Sequence, residues 1–288
     1  VLKGWIHALR PRTLPLAWSA VTTGALDARG DAFWHHPVYL PALVTALLLQ
    51  MVSNLANDYG DFTKGVDNDQ RAGPRRALQS GQLTPRQARK GLIVLASAAF
   101  ISGLITLHKA WDTVGSAVYL FLFLGLLAIV AAFAYTIGKK PYGYRGLGEG
   151  VAFFFFGPVA VSGTYFLMTN KVYYANLVHG LAMGLWVSAV LLINNIRDMA
   201  GDAASGKITL AVRLGSQGAR YLLAGLLFTG AAGFPLDGAW PLTLTAWLLA
   251  LPLLFMTLML PAPLYDRLLR LMVVYILLNT VVKLIVLS

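Results

Sequence analysis

Asn54, Asn57, Asp58 and Asp61 follow one another by steps that add to three, four or seven residues, the intervals that put side chains on one face of a helix. Further along, in NNIRDMAGDAASGK, Asn194 or Asn195, Asp198 and Asp202 repeat the cadence. Each group closes an apolar run. Carboxylates crowded in this way repel one another unless a cation sits between them. The donors are all oxygens, with no histidine or cysteine beside them. Such a set suits a hard ion such as Mg²⁺, which takes a few carboxylates together with substrate phosphate oxygens. Basic residues trail both groups, Arg71, Arg75 and Arg76 after the first and Lys207 after the second. They would neutralise the same phosphate directly, arginine through its bidentate fork. The pattern points to an anion held by metal on one side and by guanidinium or ammonium on the other, and a diphosphate fits that description.

These residues must be carried by membrane helices. Hydrophobic residues make up 57% of the 288 and charged residues 12%, with a mean hydropathy of +0.66. A soluble domain carries about 25% charged residues. Apolar runs near the length that spans a bilayer are expected around 14–26, 38–56, 91–107, 115–136, 151–168, 172–193, 220–234, 241–260 and 270–287. The expected fold class is therefore all-α, a polytopic membrane bundle of about nine transmembrane helices. It forms a single domain over 1–288, with motif loops at 57–90, 138–150 and 194–219. The first run is expected to be a retained helix and not a cleaved signal.

Basic residues orient the bundle. With the N-terminus inside, only Arg29, Lys109, Lys171 and Lys283 fall on the outer side, as the positive-inside rule requires. The same count accounts for the net charge of +11; no basic stretch interleaves with aromatics as a nucleic-acid surface would, so no nucleic-acid partner is expected. The acids sort likewise. Those outside, Asp27, Asp31, Asp112 and Asp237, are expected to stand singly, whereas the inner ones are clustered.

Other chemistries lack parts. No two histidines share a metal-ligand spacing on the motif side, which excludes zinc. There is no nucleophile elbow or P-loop, and GLGEG (146–150) has neither the preceding strand nor the spacing of a dinucleotide fingerprint. An ion-coupled transporter would want charge near the bilayer midplane and an internal repeat, and the middles of the runs carry essentially none. Asp69, Arg86, Arg89 and Lys90 read as loop charge. Glu149, the only glutamate, could accept a proton or orient Arg145, or could be an interfacial carboxylate paired with Lys140. Tyr135 is open to two as well, stabilising a cation with its ring or anchoring a helix at the interface. Arg10, Arg12 and Thr13 are available to an acceptor carboxylate or serve as plain anchors. FFFF at 153–156 reads as lipid or core contact.

Taken together, these motifs resemble the UbiA superfamily of intramembrane aromatic prenyltransferases. NDYGDFTKGVD, with Asn57, Asp61 and Asp67, is similar to that family's first Asp-rich motif in its long-spacer, menaquinone-branch form. NNIRDMAGDAASGKITLAVRLG is similar to the second. LRPRTLP (9–15) and KKPYGYRGLGE (139–149) resemble the same branch, and the likeness runs from the first run to the seventh. It implies transfer of a prenyl group from a polyprenyl diphosphate to 1,4-dihydroxy-2-naphthoate, with loss of carbon dioxide. The setting implied is a bacterial inner membrane whose lipid receives the prenyl tail, with the motif loops cytoplasmic. It also implies Mg²⁺ on Asp61, Asp67, Asp198 and Asp202. Asn57 and Asp58 would join them as metal ligands and Asn54 would stand at the diphosphate, unless Asp58 and Asn54 hold their neighbours instead. Arg71, Arg75, Arg76, Lys139, Lys140, Arg145, Asn194, Asn195 and Lys207 would stand around the diphosphate, the Arg71–Arg76 stretch acting as a lid. A family member with another acceptor, such as 4-hydroxybenzoate, is the alternative.

Overall fold

The computed structural model describes residues 2–67, 73–233, 240–261 and 264–287. Among them every regular element is helical. A short α1 (Leu2–Leu9) leads through a 3₁₀ turn into α2 (Leu14–Arg29). Then come α3 (Tyr39–Thr63), α4 (Pro85–Val114), α5 (Val118–Ala134), α6 (Gly148–Phe154) and a π-helical segment (Phe155–Ser162). The chain continues through α7 (Gly163–Thr169), α8 (Tyr174–Ala204), α9 (Leu210–Gly233), α10 (Trp240–Met259) and α11 (Tyr265–Leu287). Most of the expected apolar runs fall on a single helix, but 151–168 runs through α6, the π segment and α7. Among the described residues, the helical runs Tyr39–Thr63, Pro85–Ala134, Gly148–Thr169, Tyr174–Ala204 and Tyr265–Val286 are long and apolar enough to cross a membrane.

Local chemistry sets the boundaries. The N-terminus of α4 is a capping box: the Gln87 amide N–H donates to Thr84 Oγ1 (3.2 Å), and Thr84 N–H donates back to Gln87 Oε1 (2.9 Å). Pro85 follows at a position where its missing N–H costs nothing. α9 breaks at Gly215, whose φ of 68° no β-carbon-bearing residue adopts readily. α3 and α8 both run past their apolar stretches, to Thr63 and Ala204, so the Asn/Asp groups extend those helices as their spacing predicts.

The helices close into a bundle. α2 packs on α3, α3 on α4, and α4 on α5; α8 packs on α9, α9 on α10, and α10 on α11, which returns to α2 and α8. One core cluster gathers around Trp186, Tyr265 and Leu268 on the α8–α11 side. Another, around Leu55, Leu78 and Leu92, seals the motif end, and a third, around Leu26, Tyr39 and Met168, seals the other. FFFF (153–156) straddles the junction of α6 and the π segment, whose wide turns tolerate Pro158 and its missing donor.

Small residues let the π segment meet α8. A β-carbon on Gly157 would collide with the Gly180 carbonyl oxygen, and one on Gly184 would stand 2.6 Å from the Phe153 carbonyl oxygen. Gly180 and Gly184 form the small-x₃-small stripe that lets membrane helices approach closely. Gly184→Ala is expected to lower unfolding stability by about 1–3 kcal/mol, as over-packing does elsewhere, read as a lower thermal midpoint in detergent. Gly150→Ala, where a β-carbon meets nothing within 4 Å, should leave the midpoint unchanged.

Candidate active site

Asp61 is the centre of the motif end. It is fully buried, and each oxygen is engaged. Oδ1 accepts from the Tyr144 hydroxyl at 2.8 Å, and Oδ2 from Lys207 Nζ at 3.1 Å. With its amide oriented to suit its neighbours, Asn57 donates to the same Oδ2 at 3.2 Å and accepts from Arg10 at 3.3 Å. Lys207 also lies 3.7 Å from Asp202 Oδ1. The two motifs therefore meet through this ammonium, a cation standing between a carboxylate of α3 and one of α8. Burial and the Asp61 charge push the Tyr144 phenol far above its usual range, so it remains a donor at any physiological pH.

Asp58, one residue round the α3 face from Asn57, belongs to arginine. It pairs with Arg10, and with Arg76 at 2.8 Å. Arg76 Nε lies 4.0 Å from Asp67 Oδ1, so this arginine joins both ends of the first motif. Arg10 has φ 50° and ψ 66°, a left-handed conformation just before Pro11. Such a residue is strained and persists only where its surroundings hold it. Asn54 holds the same turn: its amide donates to the Leu9 carbonyl oxygen (2.9 Å) and to Thr13 Oγ1 (3.0 Å). Arg75 is exposed, and Arg71 lies outside the described residues, so the lid expectation rests on Arg76 and Asp67 here.

On α8, Asp198 accepts both prongs of Arg197 (2.8 Å each), and Arg197 also reaches Asp266 of α11 at 3.2 Å. The segment after the first motif touches the second here, for a β-carbon on Gly73 would stand 2.9 Å from Arg197 Nη2. Asn195 donates to Glu149 Oε1 at 2.7 Å, and Glu149 is buried at the start of α6. The expected pairing of Glu149 with Lys140 is thus corrected: burial carries the carboxylate inward to Asn195, while Lys140 is exposed.

A cavity of about 330 Å³ opens beside these groups. Its polar end is lined by Arg10, Asn57, Asn194, Tyr135 and Tyr142, and its far end by Val21, Leu107, Phe121 and Leu167. Tyr135 and Tyr142 meet edge to face at 5.4 Å. Lys139, Lys140 and Arg145 do not line it. They line a second cavity together with Lys64, Tyr144 and Ser205.

Among the described residues no three carboxylates or histidines converge as a ready-made metal cage. The oxygen donors still suit a hard ion, and the Lys207 ammonium between Asp61 and Asp202 marks a place where positive charge is favoured.

The sequence matches the UbiA prenyltransferase family over residues 16–271. This chain belongs to that family. A UbiA homologue from Aeropyrum pernix shares its fold, with a TM-score of 0.62, 20% identity and 96% of each chain covered. Among curated relatives, the 1,4-dihydroxy-2-naphthoate octaprenyltransferase of Haemophilus influenzae is 42% identical over 262 residues, which covers 88% of this chain and 83% of the relative. The Escherichia coli protein of the same name is 42% identical over 259 residues, 88% and 82%.

Within this UbiA-family chain, some functional contacts had little signal in the sequence. Arg10 read equally well as an anchor, and Tyr144 was one aromatic among several in a basic loop. At the far end the outer charges are not single. Lys283 pairs with Asp27, and His179 Nδ1 lies 3.0 Å from Asp27 and 2.8 Å from Lys283, all buried. The expectation for Asp27 concerned acids clustering with acids, and this pairing with a lysine and a histidine lies outside it. The partners come from α2, α8 and α11, and no local spacing connects them.

Proposed function

We propose that this chain transfers a polyprenyl group from polyprenyl diphosphate to 1,4-dihydroxy-2-naphthoate, a step that builds the ring-and-tail skeleton of menaquinone. The observation that carries the reading is the meeting of Asp61 and Asp202 at Lys207, next to a cavity that is polar at one end and apolar at the other. The names of its relatives supply the acceptor. The donor's C1–O bond breaks and pyrophosphate leaves. A bond then forms from C1 to the ring carbon bearing the carboxylate, and that carboxylate departs as carbon dioxide. Charge balances without an added base.

The residues divide the work. Lys207, Arg76 and Arg10 offset charge that grows on the leaving oxygens. Mg²⁺ fits the same place: Asp61, Asp67, Asp198 and Asp202 would hold it, and it would supply Lewis-acid stabilisation of the diphosphate. Tyr135 and Tyr142 present π faces to the allylic cation, and the apolar walls keep water from capturing it. Asn57 and Asn194 face the polar end, where they orient the acceptor. Glu149 fixes Asn195 and with it the second motif. The stretch of α3 along the cavity, Ala42 to Asn57, is about 22 Å long at 1.5 Å per residue. At roughly 5 Å per isoprene unit, by analogy with an extended chain, that is room for about four units, so a longer tail continues into lipid. Nine membrane spans, with the N-terminus and the motif loops cytoplasmic, complete the proposal.

The test is a reaction in detergent with a polyprenyl diphosphate, Mg²⁺ and acceptor labelled at the carboxylate. Prenylated naphthalenediol and labelled carbon dioxide should appear in equal amounts, and a chelator should stop both. No product from the naphthoate, with prenylation of 4-hydroxybenzoate instead, would overturn the assignment of acceptor. Turnover undiminished by chelator would remove the metal.

A further inference from the structure

Gln50 interrupts the apolar stretch ALLLQMV of α3, one helical turn before Asn54. A primary amide among apolar neighbours costs free energy unless its groups are engaged. Its Nε2 donates to Thr13 Oγ1 at 3.3 Å and to Asn54 Oδ1 at 3.4 Å, longer than most bonds of this kind. Their direction is fixed by two backbone carbonyls, which only accept. The Thr13 hydroxyl gives its one proton to the Arg10 carbonyl oxygen at 3.0 Å. Asn54 Nδ2 donates to the Leu9 carbonyl oxygen and to Thr13 Oγ1. Thr13 Oγ1 then has only lone pairs left for Gln50, and Asn54 presents its amide oxygen. Both neighbours therefore require the NH₂ end of Gln50. Its own carbonyl oxygen, Oε1, is left with no donor among the described residues. That oxygen is not sealed in protein, and Gln50 lines the cavity beside the two motifs. It is an acceptor open to whatever the cavity holds.

The chemistry of the reactants says which of them it serves. A polyprenyl tail has no hydrogen-bond donor, and ionised diphosphate oxygens only accept. An aromatic hydroxyl is the donor that prenyl transfer brings to the cavity. In 1,4-dihydroxy-2-naphthoate the hydroxyl at ring position 1 is ortho to the carboxylate and closes an internal hydrogen bond with it. The hydroxyl at position 4 is free. We propose that Gln50 is a specificity-determining residue whose Oε1 receives the 4-hydroxyl, so that the chain selects a 1,4-dihydroxy ring over one with position 4 bare. The inference rests on the prenyl-transfer reading and extends it to the acceptor. A site built around a hydrogen bond rejects the analogue that lacks it, because its own polar atom is then stranded. Position 4 is meta to the carbon that carries the carboxylate, so this bond orients the ring and does not activate that carbon. The 1-hydroxyl, ortho to it, does. Deleting the 4-hydroxyl therefore probes recognition and leaves the activating group in place.

The test is run anaerobically on the full chain in detergent, with a polyprenyl diphosphate and Mg²⁺. It compares 1,4-dihydroxy-2-naphthoate with 1-hydroxy-2-naphthoate. Wild type should favour the dihydroxy acceptor by about tenfold in kcat/KM, the effect of one hydrogen bond between neutral groups. Gln50→Met keeps the length of the side chain and removes the amide oxygen. It should lose about tenfold on the dihydroxy acceptor and stay within about twofold on the monohydroxy one, so that the preference disappears. An unchanged KM for polyprenyl diphosphate shows that the variant is still folded. Equal losses on both acceptors overturn the proposal, because Gln50 would then only brace Thr13 and Asn54. A wild type indifferent to the 4-hydroxyl overturns it too. Equilibrium dialysis of the two naphthoates without donor separates this failure from that of the function. Suppose wild type prenylates neither naphthoate, yet binds the dihydroxy form about tenfold more tightly while Gln50→Met does not. The prenyl-transfer reading then falls and the Gln50 site stands. No turnover together with equal binding of the two removes both.

Discussion

Asp61→Asn is expected to lower the rate of prenyl transfer by about 10³, with the protein still folded. The carboxylate takes hydrogen bonds from Tyr144, Lys207 and Asn57 at once. An asparagine has nearly the same shape, so packing survives. Its amide, however, offers one acceptor oxygen where the carboxylate offered two, so Tyr144, Lys207 and Asn57 no longer all donate to it, and the site would lose the charge that fixes Lys207 and attracts the metal. Asp58→Asn separates the two roles. Asp58 faces Arg10 and Arg76, so its loss frees the strained turn at Arg10 and the Arg76 arm. The expected effect there is mainly a higher KM for donor. Asp112→Asn, exposed at the opposite end, should change neither constant. Steady-state rates over a range of Mg²⁺ concentrations check the assignment. Asp61→Asn should need more Mg²⁺ for whatever rate remains, and a rate equal to wild type would remove Asp61 from the centre.

How far all this was legible depends on the distance over which each contact acts. The face shared by Asn54, Asn57 and Asp61 follows from helical periodicity, because α3 continues to Thr63. The same holds for Asn195 and Asp202 on α8. The meeting of the motifs was inferable from chemistry, since two acidic helix ends on one side of a membrane need a common cation. Which cation joins them in the structure was not, because Lys207 is set by the turn after α8 and not by a repeat. Loop charge carries no information on which residues share a cavity. Lys139, Lys140 and Arg145 therefore read as part of one diphosphate site, whereas the cavity they line is shared with Lys64 and Tyr144. The close approach of Gly157 to Gly180 was out of reach as well, for a π-helical turn has no distinctive sequence period.

The Asp27–His179–Lys283 cluster was the least legible part, and it carries the largest expected loss of stability. Lys283→Met should destabilise the protein by about 3–5 kcal/mol, the cost of removing one partner from a buried ion pair. Lys283 is 0% exposed, and its ammonium sits on Asp27 and 2.8 Å from His179 Nδ1. Asp27 also accepts from Asn176 at 2.8 Å. Methionine keeps most of the side-chain volume, so the loss reports the stranded Asp27 charge and not a cavity. In lipid the stranded charge has no water to turn to, which raises the penalty above that of a surface pair. Asp27→Asn/Lys283→Met removes both charges together and is expected to recover most of the stability. Such a recovery is the non-additivity that identifies a coupled pair. Thermal unfolding in detergent measures all three. A double variant as unstable as the sum of its singles would mean that α2, α8 and α11 are joined at this end by packing alone. If the double instead regains the wild-type midpoint, the cluster adds little net stability. Its value then lies in specificity, since α11 can dock against α2 and α8 only where Lys283 meets Asp27.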